Sequence, residues 1–179
     1  MNLIEEITKG NYKGEKIVYG GITHYKFVDC AECDLVTCGE KQVHKSLAKA
    51  FLKMQSDAKA DGIILEVISG FRSIKFQKTI FPCKFKGKPT EEEFLARLKY
   101  SAPAGFSEHH TGLAVDINSL EEDFADTKEY EWLLSHAKDY GFEMSFQRNN
   151  KQGLGFEPWH WRFVGTEEAK NIFKHVEII

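Results

Sequence analysis

The 179-residue sequence predicts an α+β domain: one mostly antiparallel sheet with helices packed to one side. Three observations predict it. Short alternating or β-branched runs mark strands. Capped amphipathic stretches mark helices. The two kinds are mixed without the strict strand–helix alternation of a parallel sheet. The length suits one domain over residues 1–179, with a loop-rich part at 1–41 and the core at 42–179.

Gly10, Gly14, Gly20, Gly21 and Gly39 make the first forty residues read as loops, with short strands at 16–19 and 23–27. Between about 42 and 60, Leu47, Phe51, Met54 and Ala58 recur at helical spacing on one face, and Gly62 stops the helix. Residues 63–68 form a β-branched run and read as a buried strand. A turn at 69–73 leads to Ser73, the N-cap of a helix reaching about Phe81. After a loop at 82–89, Thr90 and Glu93 have capping-box spacing at the start of another helix. Residues 101–110 are irregular and 112–117 a strand. A helix follows over 127–140, with Tyr130, Leu133, Leu134, Ala137 and Tyr140 on one side and Gly141 as its stop. Strands at 142–146 and 159–164 and a closing helix at 166–175, capped by Thr166, complete the chain.

The formal charge of -3 carries no basic footprint of a nucleic-acid binder. No apolar run approaches the roughly 18 residues of a membrane-spanning helix. The start, Met1 to Glu6, lacks the basic-then-apolar pattern of a signal peptide. The expectation is therefore a cytoplasmic protein as the chain stands, or a cell-envelope protein if the chain is a piece of an exported one. Of the cysteines, Cys30 and Cys33 form a single C-x-x-C, with Cys38 and Cys83 outside it. A structural zinc site normally shows two such pairs, so free thiols are the preferred reading.

Chemistry concentrates in three segments. In 107–117, Leu113, Val115 and Ile117 share an apolar strand face, while Gly112, Ala114 and Asp116 share the other. Two tiny residues beside a carboxylate suggest open volume next to Asp116 for an ion and a substrate. In 157–164, Trp159, Trp161 and Phe163 face one way and His160, Arg162 and Val164 the other, with Pro158 at the strand start and Glu157 at its mouth. Two histidines and one carboxylate with an open fourth position make a catalytic zinc site. A nearby glutamate can take the proton of a water whose pKa the metal has lowered. Residue types leave open whether His109 or His110 is the ligand, and whether Glu157 is a ligand or the base. In 69–77, Arg72 follows a buried strand in a turn, where a guanidinium fork can hold a terminal carboxylate; Gln77 can reach the same cleft.

Ser107-x-His109-x-x-Gly112-x-Ala114-x-Asp116, Glu157-x-x-His160, and Ser69-Gly70-Phe71-Arg72-Ser73 with Gln77 together resemble the signatures of the VanY-type zinc D-alanyl-D-alanine carboxypeptidases. Phe71 stands where Tyr is commoner, and the similarity runs from about Gly62 to Gly165. The resemblance implies that His109, Asp116 and His160 hold Zn(2+), that Glu157 is the base, and that Arg72, Gln77 and Ser107 bind the substrate. It implies a fold shared with the sonic hedgehog amino-terminal domain. It also implies removal of the terminal D-Ala from peptidoglycan stem peptides, or their precursor, ending in D-Ala-D-Ala; a monomer without a nucleic-acid partner is expected. An L,D-carboxypeptidase on tetrapeptides and a D-Ala-D-Ala dipeptidase share the chemistry. A metal-holding binding module without turnover is the rival from another class, and Glu157 argues against it. The resemblance assigns nothing to the cysteines or to the loop at 82–101.

Overall fold

A computed structural model describes residues 2–177. The first forty residues are more ordered than their glycines suggest. Helix α1 (Leu3–Thr8) starts on Asn2, whose side chain accepts from the Glu5 amide. Strand β1 (Lys16–Tyr19) pairs antiparallel with β2 (Ile22–Tyr25) across Gly20 and Gly21. Both glycines have positive φ, the conformation that lets a two-residue hairpin turn follow the strand twist. A second hairpin joins β3 (Leu35–Cys38) to β4 (Lys41–His44).

That second hairpin corrects the helix start expected near residue 42. Residues 41–44 are strand, and α2 (Lys45–Ala60) begins only after His44, whose side chain accepts from the Ser46 amide. The apolar helical face starts at Leu47, so its period does not register the strand before it. The strand expected at 63–68 is also displaced, to β5 (Val67–Ser69). In residues 64–66, two side chains and the Asn118 amide, which donates to the Glu66 carbonyl, take the place of a strand ladder. Gln55 donates to the Leu65 carbonyl, Asn118 donates to the Ile64 carbonyl, and the Asn118 carbonyl oxygen accepts from the Glu66 amide.

Helix α3 (Ile74–Ile80) is capped by Ser73. Helix α4 (Glu91–Tyr100) is opened by the Thr90–Glu93 capping box, with both reciprocal hydrogen bonds formed. Strand β6 (Ala114–Ile117) precedes α5 (Lys128–His136), which passes into a 3-10 turn at Ala137–Tyr140. Leu134, expected on the inner face, is 56% exposed, and Trp132 is buried in its stead. Trp132 donates to Asp61 and stacks on His136 at 4.5 Å, so its indole is held at both ends. Strands β7 (Phe142–Met144) and β8 (His160–Phe163) and helix α6 (Glu167–Phe173), capped by Thr166, close the fold.

The central sheet has the order β5-β6-β8-β7, antiparallel throughout. Leu113, Val115, Ile117, Phe142, Trp161 and Phe163 form a core with the apolar faces of α2, α5 and α6. A smaller cluster, with Ile7, Ile17, Ile22, Phe94 and Leu98, joins α1, the first hairpin and α4. Val164, expected on the side of His160 and Arg162, packs against the larger core, because the strand and its alternation end at Phe163.

Gly112 corrects the reading of small residues as open volume. It has φ +66 at the end of a 3-10 turn, Glu108–Thr111, and its carbonyl accepts from the His44 amide at 2.8 Å. A Cβ there would lie 3.0 Å from that amide nitrogen, so the glycine allows β4 to approach the backbone. Gly112→Ala should therefore cost about 1–3 kcal/mol in denaturant unfolding. Unchanged stability would contradict this account of the turn.

Candidate metal centre

Asp116 on β6 stands directly opposite His160 on β8. His109 arrives from the 3-10 turn just before β6. Ser107 starts that turn, its hydroxyl accepting from the His109 amide. His109, Asp116 and His160 are only 3%, 5% and 3% exposed. Each offers one donor atom, and the three atoms lie within 4.8 Å of one another. His109 Nε2 is 3.3 Å from Asp116 Oδ2, and His160 Nδ1 is 2.9 Å from Asp116 Oδ1.

The opposite ring nitrogens are also engaged. His109 Nδ1 donates to the Gly70 carbonyl at 2.8 Å, which leaves Nε2 as the lone-pair nitrogen toward Asp116. His160 Nε2 meets Glu108 Oε2 at 3.0 Å, which leaves Nδ1 toward Asp116. His110 is directed elsewhere. It accepts from the Gly105 amide on Nε2, so its Nδ1 carries the proton that it donates to the Arg72 carbonyl.

The donor set fits zinc. Tetrahedral ligands at about 2.0–2.2 Å from one ion stand roughly 3.3 Å apart, close to the spacings found. Two imidazoles and a carboxylate suit that metal, and each ring is oriented by a hydrogen bond on its far side.

Charge is concentrated here. Burial alone would raise the Asp116 pKa, yet His109 and His160 hold it well below the usual carboxylate range. Burial would likewise raise Glu108, but Arg162, His160 and Ser145 keep it at about 2. Burial works to lower the His160 pKa, and hydrogen bonds to Asp116 and Glu108 overcome it, pushing the imidazole up to about 10. Burial keeps His109 below its ordinary value, as a neutral ligand requires. Burial pushes the Glu157 carboxyl up to about 8; His160 opposes the rise, and Asp116 and Glu108 add to it.

All seven site residues expected from sequence line one cavity of about 460 Å³. Glu157 sits in the turn before β8, its amide on the Phe146 carbonyl and its own carbonyl accepting from the His160 amide. The Arg72 backbone is clamped by His109 and His110. Gln77 donates to the Ala102 carbonyl, while its Oε1 is buried without a partner among the described residues. The sequence reading passed over Glu108 and Ser145. Glu108 occupies a variable position of the first motif, and nothing local to Ser145 signals that its hydroxyl donates to Glu108. Among the described residues the three-ligand group is the one cluster of metal-binding side chains found. The four cysteines are free thiols, and among the described residues no helix is long and apolar enough to cross a membrane.

Residues 40–166 match the model of the VanY family, D-alanyl-D-alanine carboxypeptidase, and the chain belongs to that family. Among curated relatives, YodJ of Bacillus subtilis (strain 168) is 36% identical over 74% of this chain and 50% of its own length. A D-alanyl-D-alanine carboxypeptidase of Enterococcus faecium is 32% identical over 70% of this chain and 38% of its own. The chain thus spans half or less of these two relatives' lengths. A VanY D,D-pentapeptidase variant from a VanB-type resistance cassette, solved with Zn(II), superposes with a TM-score of 0.63. It is 28% identical, over 84% of this chain and 87% of that one. The LdcB LD-carboxypeptidase superposes at 0.64, with 29% identity over 94% of this chain and 77% of its own.

The Glu157 shift has a consequence for metal-free protein. Its folded pKa of about 8 lies above the ordinary value of 4.5, so the folded state holds the extra proton between these limits. Its contribution is complete below about pH 4.5 and is lost as pH rises through 8. Plotted against pH, the thermal stability of metal-free wild type minus that of Glu157→Gln should fall across this window. A flat difference would refute the burial assignment.

Proposed function

We propose that this chain is a zinc-dependent carboxypeptidase that removes the terminal D-Ala from peptidoglycan stem peptides ending in D-Ala-D-Ala. The observation that carries the reading is the meeting of a three-ligand group, an acid of raised pKa and a half-buried arginine in one cleft. Membership of the VanY family supports it, as does the likeness to the Zn(II)-bound D,D-pentapeptidase.

His109, Asp116 and His160 would hold the ion. When bound, zinc lowers the pKa of a water to about 7, polarises the scissile carbonyl and favours the ionised form of Glu157. Glu157 takes the proton from the attacking water and gives it to the departing amine of D-Ala. The Arg72 guanidinium pairs with the terminal carboxylate, which selects a chain end. Gln77 Oε1 accepts an N–H of the substrate, and Ser107 holds the peptide beside the ligands. The 460 Å³ cleft lies within the range of pockets that enclose a small ligand, so it can take a peptide end.

A second reading, an L,D-carboxypeptidase that takes D-Ala from a tetrapeptide, is favoured by one observation. The LdcB LD-carboxypeptidase covers 94% of this chain at a TM-score equal to or above those of the VanY structures. The two readings share every residue role above.

Release of D-Ala from pentapeptide, tetrapeptide and free D-Ala-D-Ala, with and without added zinc, tests both. Pentapeptide turnover that requires zinc is expected; turnover of the tetrapeptide alone would select the second reading, and of the dipeptide alone would overturn both. Glu157→Ala should keep the metal and lose roughly 100-fold or more in kcat, about 3 kcal/mol of transition-state stabilisation. Full activity in that variant would remove Glu157 from the mechanism. Arg72→Ala should lower kcat/KM about 10–100-fold on free carboxyl ends, as expected for a lost charge-assisted pair of about 1.5–3 kcal/mol. An equal loss on amidated peptide would argue against the anchor.

A further inference from the structure

Glu108 lies between two site residues in sequence, yet the proposed chemistry gives it no task. It is 4% exposed, and every oxygen is engaged. Oε2 meets His160 Nε2 at 3.0 Å and accepts from the Ser145 hydroxyl at 2.6 Å. Oε1 accepts from Arg162 Nη1 at 3.1 Å. Arg162 in turn bridges to Glu143 on β7 at 2.7 Å, with its guanidinium 4.8 Å from the Phe173 ring centre. Ser145, His160 and Arg162 therefore grip one carboxylate from two neighbouring strand segments.

A carboxylate held this firmly does more than neutralise Arg162, because Glu143 already pairs with that arginine. By accepting the Nε2 proton of His160, Glu108 leaves Nδ1, 2.9 Å from Asp116 Oδ1, as the ring nitrogen available to an ion held with Asp116 and His109. Its charge also makes the ring a better electron donor.

We propose that Glu108 is a positioning residue of the metal site. It fixes the tautomer and plane of His160 and thereby sets the affinity for zinc, with Ser145 and Arg162 orienting its two oxygens. The proposal rests on the reading of His109, Asp116 and His160 as zinc ligands.

The test is the Zn(II) dissociation constant of the full chain, by competition with a chromophoric chelator, beside the melting temperature of the metal-free protein. Glu108→Gln keeps the shape but removes the charge, and should weaken zinc binding on the order of 10–100-fold. With saturating zinc its deficit should fall on kcat, with KM within about twofold of wild type. Glu143→Gln loosens Arg162 without touching His160 and should leave zinc affinity within about twofold. If Glu108→Gln does not fold, Ser145→Ala replaces it, with a several-fold loss of affinity expected. Wild-type zinc affinity in the folded Glu108 variant, or in Ser145→Ala when that stands in for it, would overturn the proposal. So would an equal loss in Glu143→Gln, since the effect would then belong to the Arg162 ion pair. Wild-type protein that fails to bind zinc would instead overturn the metallopeptidase reading itself.

Discussion

The cross-strand register of β6 and β8 is the constraint from which the site follows. With Asp116 opposite His160, an acid and an imidazole from residues 44 apart in sequence are held face to face by backbone hydrogen bonds. A slip of one residue on either strand would turn one of them into the aromatic core, because strand side chains alternate faces. Leu113, Val115, Ile117, Trp161 and Phe163 forbid that slip, since it would carry large apolar groups out of a packed cluster. Hydrophobic burial on one side of the sheet thus fixes polar geometry on the other.

Concentrating polar groups in a buried place has a large desolvation cost, and the surroundings are arranged to offset it. Each imidazole is bonded on its far nitrogen, Asp116 is shared between two rings, and Glu108 is surrounded by Ser145, His160 and Arg162. Glu157 departs from this pattern: its carboxyl is half-buried and lifted toward neutrality. That contrast is consistent with the proposed mechanism, in which Glu157 carries the proton and its neighbours hold the ligands in place.

The N-terminal part bears on the same architecture. The β3–β4 hairpin delivers the His44 amide to the Gly112 carbonyl and the Gln42 carbonyl to the Phe71 amide, bracing the segments that present His109 and Arg72. The first hairpin supplies His24 and Tyr25, and α4 supplies Arg97 and Lys99, to the cleft wall. Elements outside the motifs therefore also shape the cleft.

The amino-acid sequence by itself determined the fold class, the capped helices α3, α4 and α6, and the core-facing alternation of Val115, Ile117, Trp161 and Phe163. These are local matters, legible because caps act over three residues and strand faces alternate with a period of two. Through the resemblance of three motifs to a known family it also supplied seven expected site residues, which the structure brings to one cavity. Where expectation and structure part, a distant partner decides. Asn118 and Gln55 take the hydrogen bonds that residues 64–66 would have given a neighbouring strand, and Asp61 draws Trp132 inward as Leu134 turns out. The β4 backbone, close against Gly112, accounts for a glycine that the motif alone suggested was making room for an ion. Glu108 and Ser145 belong to the same group, 37 residues apart and joined only when β7 and β8 pair beside the turn. Tertiary structure alone decided these, because a hydrogen bond between remote segments leaves no periodic trace in either one.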